Sequence, residues 1–311
     1  MLRDHTAGDP MRAEVKWTNL SRRQISRRLG KLGTPASKRV VSRLLFEQGY
    51  RRRKAQKKKT MGQHADRNAQ FEKIARLKQE YLDAGLPVIS IDTKKKELLG
   101  NFARAGVTDA ERPVIVNDHD FASQGNGTLI PHGIYDVAKN RGHLHLNTSH
   151  DTTELACDSI ELWWREQGRH DYPQALKLLV LCDGGGSNSA SKYVFKEDLQ
   201  ALANRLGLEI RVAHYPPYCS KYNPIEHRLF PHITRACQGI PLETAQTAKH
   251  YLEKTETATG LNVIVRFLDK VYQTGRQYAK HFKETMTIVF DDYLPKWNYT
   301  AVPRSSMNSG S

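Results

Sequence analysis

The chain has 311 residues, with 48 Lys and Arg against 33 Asp and Glu and a formal net charge of +15. That length allows one large domain and a small appended one. No apolar run is long enough to cross a bilayer, and Met1-Leu2-Arg3-Asp4 lacks the apolar region of a signal peptide, so a soluble cytoplasmic protein is expected. The cysteines Cys157, Cys182, Cys219 and Cys237 include no C-x-x-C pair, which argues against structural zinc and fits reduced thiols.

The charge is unevenly placed. Residues 1–60 hold eighteen Lys/Arg against four Asp/Glu, and the other 251 residues hold thirty against twenty-nine. A basic arm on a near-neutral body is the footprint of a nucleic-acid partner. Residues 20–50 read as two short helices around a turn. Ser21 is a good N-cap with Gln24 as capping-box partner, and Leu20 and Ile25 sit at staple positions. The turn Gly30-Lys31-Leu32-Gly33 follows. Thr34-Pro35 then restarts a helix with Val40, Val41, Leu44 and Leu45 as its apolar stripe, ended by Gly49. That outline is a helix-turn-helix, whose second helix would offer Ser37, Lys38, Arg39, Ser42 and Arg43 to DNA bases. An ordinary helical hairpin with a basic face is the bland alternative. The run Arg51, Arg52, Arg53, Lys54, Lys57, Lys58 and Lys59 favours DNA, since each phosphate it neutralises adds salt-sensitive affinity. Residues 1–19 are too polar to supply the third helix such a domain needs, so the DNA-binding region 1–60 reads as partial.

A charged helix over about 66–84 carries Phe71, Ile74, Leu77 and Tyr81 and stops at Gly85-Leu86-Pro87, making residues 61–85 a connector. A strand ending in Asp92 comes next. Ile130–Ala138 and Gly142–Asn147 form a hairpin through Lys139-Asn140-Arg141, and Thr152–Gln167 is helical. A strand ending in Asp183, a helix near Lys192–Leu206 and a strand Leu208–Ala213 lead through Tyr215-Pro216-Pro217-Tyr218 to a helix carrying Glu226. Three strands followed by alternating helix and strand predict an α/β fold with an RNase H-like mixed sheet over residues 86–300, ahead of a tail at 301–311. After residue 240 a helix (Glu243–Glu256), a strand (Leu261–Phe267) and an aromatic-rich end (Phe290–Tyr299) read as packing on the core.

Asp92 and Asp183 end apolar strands, and Glu226 opens a helix. Each alone has an ordinary reading: carboxylates commonly end strands, and Glu226, third after Asn223-Pro224, suits a capping box or the positive helix end. Together they suit a pair of divalent cations, the apparatus with which many enzymes cut and rejoin phosphodiesters. Gly184-Gly185-Gly186 matches neither dinucleotide-binding nor P-loop spacing, and an acid directly before it repels phosphate. His143 and His145 alternate with Leu144 and Leu146 as on the open face of a strand, which predicts solvent exposure. His227 is a weak partner candidate for Glu226, because helical neighbours point apart.

The blocks Ser90-Ile91-Asp92-Thr93-Lys94-Lys95-Lys96-Glu97, Cys182-Asp183-Gly184-Gly185-Gly186-Ser187-Asn188 and Tyr215-Pro216-Pro217-Tyr218-Cys219-Ser220-Lys221-Tyr222-Asn223-Pro224-Ile225-Glu226-His227 resemble the signatures of DDE transposases of bacterial insertion sequences. The subgroup is the Rhodopirellula-type transposase DDE domain, and the last block is also similar to that of mariner-like elements. The resemblance runs from about residue 9 and implies an N-terminally shortened relative. It implies that Asp92, Asp183 and Glu226 are the catalytic and metal-binding triad for two Mg²⁺ ions, with Mn²⁺ able to substitute. The implied activity is DNA strand cleavage and strand transfer of an insertion sequence. Lys94 and Lys95, with Lys96, would hold phosphates near the site. The implied partners are the element's terminal repeats and target DNA, with a homo-oligomer on DNA, no membrane, and nucleoid association when bound. A non-catalytic DNA-binding remnant of such an element is the alternative.

Overall fold

The computed structural model describes residues 6–9, 12–18, 20–53, 64–186 and 190–304. The chain divides into two units, Met1–Lys59 and Thr60–Ser311. In the first, β1 (Thr6–Asp9) and β2 (Arg12–Thr18) form an antiparallel ribbon. Two helices follow, α1 (Arg22–Lys31) and α2 (Lys38–Glu47). The capping box of α1 is complete: Ser21 Oγ accepts from Gln24 N at 3.2 Å, and Gln24 Oε1 accepts from Ser21 N at 2.8 Å. The second helix starts later than the Thr34-Pro35 reading. Ser37 is its cap, accepting from Val40 N at 3.3 Å. Before that cap the chain is held to α1 by the Ser26 hydroxyl, which donates to Ala36 O at 2.6 Å. Of the expected apolar stripe only Val41 is buried, as is Ile25 of α1, while Leu44 is 43% exposed.

The second unit opens with α3 (Arg67–Asp83) and builds one nine-stranded sheet. Its strands are β3 (Val88–Thr93), β4 (Glu97–Leu99), β5 (Gly127–Asp136), β6 (Arg141–Asn147), β7 (Lys177–Cys182), β8 (Glu209–His214), β9 (Asn262–Phe267), β10 (Ile288–Phe290) and β11 (Asn298–Ala301). The central order is β6-β5-β3-β7-β8, with β5 antiparallel to β3 and β6, and β3, β7 and β8 mutually parallel. This is the RNase H-like order. Both faces of the parallel strands are covered, so β3 and β7 read as near-continuous apolar runs.

One face carries α4 (Thr153–Trp163), which runs through a π-type turn (Trp164–Gly168) into the short α5 (Arg169–Asp171), and α6 (Tyr193–Leu206). Ile89, Ile91, Trp163, Val180, Phe195 and Val212 meet there. The other face carries α3 and the helices α7 (Pro224–Arg228), α8 (Phe230–Ala236) and α9 (Ala245–Leu252). The segment after 240 does more than pack on the core: it extends the sheet at both edges. β9 adds parallel to β6, and β10–β11, preceded by α10 (Phe282–Thr285), adds to β8.

That extension corrects the expectation for His143 and His145, which are only 2% exposed. With β9 outside it, β6 is an interior strand, and His143, His145 and the opposing His132 lie beneath α4 rather than in water. Burial pushes the imidazoles of His132 and His143 down to about 4 and about 3, so they are neutral. No helix among the described residues is long and apolar enough to cross a membrane.

Candidate active site

Strands β3 and β7 run side by side with Ser90 opposite Leu181, and Asp92 and Asp183 each follow two residues later. Alternate residues of a strand share a face, so both carboxylates leave the carboxyl end of the sheet on the side of Ser90 and Leu181. This is the side that faces α7. Asp183 is fixed through its backbone and its loop. The buried imidazole of His214 donates from Nδ1 to Asp183 O at 2.8 Å, while its Nε2 accepts from the Tyr299 hydroxyl at 2.8 Å. Gly185 N donates to Asp183 Oδ1 at 3.2 Å, and Gly186 takes a φ of +59° that favours glycine.

The placement of Glu226 depends on a contact that no sequence spacing shows. Asn223 does not cap α7 with its side chain. Its Oδ1 accepts from the Ser90 hydroxyl at 2.5 Å and its Nδ2 donates to Ile91 O at 3.0 Å. Ser90 Oγ in turn accepts from Ile225 N at 2.9 Å, so a strand residue performs the helix cap. Both Ser90 and Asn223 are fully buried. Gly133, opposite Asp92 in register, lets α7 and α8 come close: a Cβ there would meet Phe230 at 2.7 Å and Ile225 at 2.8 Å.

These contacts bring the Glu226 carboxylate within hydrogen-bonding reach of the Asp92 carboxyl. Glu226 therefore reaches across to β3 instead of back to its own helix start. Burial, then the nearby charges of Asp183 and Glu226, push the Asp92 carboxyl up to about 8, although Thr93 N donates to its Oδ1 at 2.8 Å. Asp183 is raised by burial and by the charge of Asp151, and Glu226 by burial. Three neighbouring carboxylates, each raised by burial, are the kind of donor set a hard divalent cation takes. Among the described residues, no three Asp, Glu, His or Cys side chains are already arranged as a set of metal ligands.

Asp151 is a fourth acid at this site that the sequence reading passed over. It lies just before α4, accepts from Thr93 Oγ1 at 3.0 Å, and bears on Asp183. A lone carboxylate before a helix cap carries no signal of its own. Lys94 departs from its expected role. Only 9% exposed, its ammonium is paired with Glu97, which Arg104 also holds at 2.9 Å. Its charge reaches Glu226 from inside the protein, whereas Lys95 and Lys96 are exposed. Lys96, Asp151, Gly186, Lys192, Tyr193 and Arg276 border an open cleft of about 640 Å³ beside the carboxylates. The groups acting on His227 are its burial, Arg228, the Tyr222 backbone and Lys78, not the three acids.

In the first unit, Lys38, Arg39 and Arg43 are exposed on α2, with Arg43 3.6 Å from Glu47. Arg51 lies 3.4 Å over the Phe46 ring and donates to Phe46 O at 2.7 Å, while Arg52 and Arg53 are exposed. Lys54, Lys57, Lys58 and Lys59 lie outside the described residues.

The sequence profile of the Rhodopirellula transposase DDE domain matches residues 1–303. The chain belongs to this transposase DDE family. No curated protein matches it. Similar solved structures include the Mos1 transposase paired-end complex with left transposon end, at 14% identity and a TM-score of 0.45 over 76% of this chain and 66% of that one. A pre-cleavage Mos1 transpososome matches at 13% identity and 0.46, again over 76% and 66%, and a Mos1 mariner paired end complex with Mn at 14% and 0.44, over 76% and 66%. The family member therefore spans just under two thirds of the Mos1 chains it matches.

Proposed function

We propose that this chain is a transposase that cuts DNA strands at the ends of an insertion sequence and joins the freed 3′-hydroxyl to target DNA. The reading rests on one observation above all: Asp92, Asp183 and Glu226, far apart in sequence, lie close enough at the carboxyl end of the parallel strands to act on one another's carboxyls. These carboxylates would hold two Mg²⁺ ions, or Mn²⁺ in their place. Such cations, when bound, activate water and steady charge on attacking and leaving oxygens.

The chain's own residues set the geometry. Asp92 would have to be ionised to hold such a cation. Ser90 and Asn223 keep Glu226 against β3, and His214 keeps Asp183 at the end of β7. Lys95 and Lys96, exposed beside the site, meet DNA phosphates. We assign residues 1–60 to DNA binding through Lys38, Arg39, Arg43, Arg51–Arg53 and the basic run that follows, residues 61–85 to the connector and 86–300 to catalysis. The partners are transposon-end and target DNA, with two or more copies assembled on it, in the cytoplasm at the nucleoid. A nicking assay on the element's terminal DNA tests this. Mg²⁺-dependent nicking that is lost in Asp92→Asn supports it, and DNA binding without nicking in either cation would make the chain a non-catalytic remnant.

A further inference from the structure

The loop between β8 and α7 holds an aromatic ring in water at a backbone angle that favours glycine. Tyr218 has φ +60° and is 68% exposed. Left-handed backbone is costly for an L-residue and persists only where neighbours enforce it. Here they do. Cys219 is fully buried, its Sγ accepts from Arg67 Nε at 3.2 Å, and its N donates to Pro216 O at 3.1 Å. Tyr222 N donates to Cys219 O at 2.9 Å and Asn223 N to Ser220 O at 2.8 Å.

The same loop joins two of the three acids. At its start Tyr215 N donates to Cys182 O at 2.8 Å, one residue before Asp183, and at its end Asn223 stands three residues before Glu226. Three residues after Tyr218, Lys221 is exposed, its ammonium 5.1 Å from the Tyr222 ring centre. The Tyr222 ring packs on Phe71 at 5.1 Å, whereas Tyr218 makes no ring contact among the described residues.

We propose that Tyr218 is a nucleobase-stacking site at the rim of the carboxylate cluster, taking an unpaired base of the bound strand while Lys221 meets the adjoining phosphate. A ring face accepts any base, and a neighbouring cation follows the backbone. Bases inside a duplex already cover each other's faces, so the ligand is frayed or single-stranded DNA at a strand end. The inference rests on the transposase reading, since it places DNA across these acids.

The test is a binding measurement in the Asp92→Asn background, where no cleavage intervenes. The probes are a short duplex with a single-stranded 3′ overhang carrying 2-aminopurine at its first unpaired position, and the blunt duplex of the same sequence. Tyr218→Ala should weaken overhang binding about 10-fold, leave blunt binding unchanged and lose the fluorescence quench of a stacked 2-aminopurine, while Tyr218→Phe keeps all three. Tyr218→Gly should bind like the Ala variant yet melt no lower than the parent, because it relieves the backbone angle. Parent-like overhang binding and quench in Tyr218→Ala would overturn the stacking site alone. Failure of the Asp92→Asn protein to bind either DNA would strike the transposase reading, and the stacking site with it.

Discussion

The hydroxyl of Ser90 and the side-chain amide of Asn223 tie the strand that carries Asp92 to the helix that carries Glu226, at 2.5 Å and fully buried. Ser90→Ala removes the acceptor of Ile225 N and a donor to Asn223 in one change. Leaving buried polar groups unpaired should cost about 1–3 kcal/mol in urea unfolding. Because Glu226 is positioned through this contact, cleavage should fall further than stability explains, by about 100-fold for a displacement near 1 Å. An alanine variant with parental stability and rate would show that the clamp does not set the site.

Burial and the neighbouring acids make an ionised Asp92 costly to the fold. A carboxyl whose folded-state value is about 8 against an ordinary 3.8 favours the fold fully below about pH 4, and that stability is lost as pH rises toward 8. Metal-free Asp92→Asn, which cannot ionise, should match the parent at pH 4 and melt higher at pH 8, on the order of 5 °C. Cleavage should disappear at every pH. Added Mg²⁺ should raise the parent's melting temperature and the variant's much less. A variant that melts lower than the parent at pH 8 would contradict the crowding described here.

Glu226 separates a helix-end role from a ligand role under conservative change. Gln serves as well as Glu in a capping box, so a capping residue would tolerate it. A ligand would not, and Glu226→Gln should bring cleavage to background with little change in melting. Asp keeps the charge but moves it about 1 Å, which should cost ~100-fold in rate. Single-turnover rates ordered Glu, then Asp, then Gln carry the assignment, and parental activity in the Gln variant refutes it.

The buried imidazole layer predicts the opposite pH sign. His132, fully buried with neither ring nitrogen partnered among the described residues, is pushed down from 6.5 to about 4. Its contribution is present above pH 6.5 and is lost as pH falls toward 4, by about 3 kcal/mol. His132→Leu should flatten that acid limb in equilibrium unfolding and leave the neutral range nearly unchanged. An identical acid limb in the variant would remove His132 from the account.

Most DNA affinity should reside in the basic N-terminal unit. Deleting residues 1–60 removes eighteen Lys/Arg against four Asp/Glu. Binding titrations over a range of salt should show weaker affinity and a flatter logarithmic slope, since fewer counterions are released. If residues 61–311 bound as tightly and as salt-dependently as the whole chain, the charge asymmetry would have no bearing on DNA.

The three acids stood out in the sequence because each falls at an element boundary. Asp92 and Asp183 end apolar runs that can only be interior strands, and Glu226 follows an Asn-Pro helix start. The capping box at Ser21 and Gln24 was legible for the same local reason, since its partners are three residues apart. The start of α2 was misread by a few residues: Ser26 of α1 holds Ala36 in the segment before α2, and that contact overrode the Pro35 signal.

The amino-acid order by itself determined the element sequence, the charge asymmetry and which acids stand at strand and helix ends, because these follow from contacts within a few residues. Tertiary structure decided the rest. Ser90 caps a helix 135 positions away, Asp151 joins the acids through Thr93, and Lys94 turns inward to Glu97. The histidines of β6 show the reason most plainly. Their alternation with leucine describes one wet face and one dry face equally well as two dry ones. Only the arrival of β9 alongside, with α4 above, settles that both faces are dry, since burial belongs to the whole sheet and not to a strand's pattern.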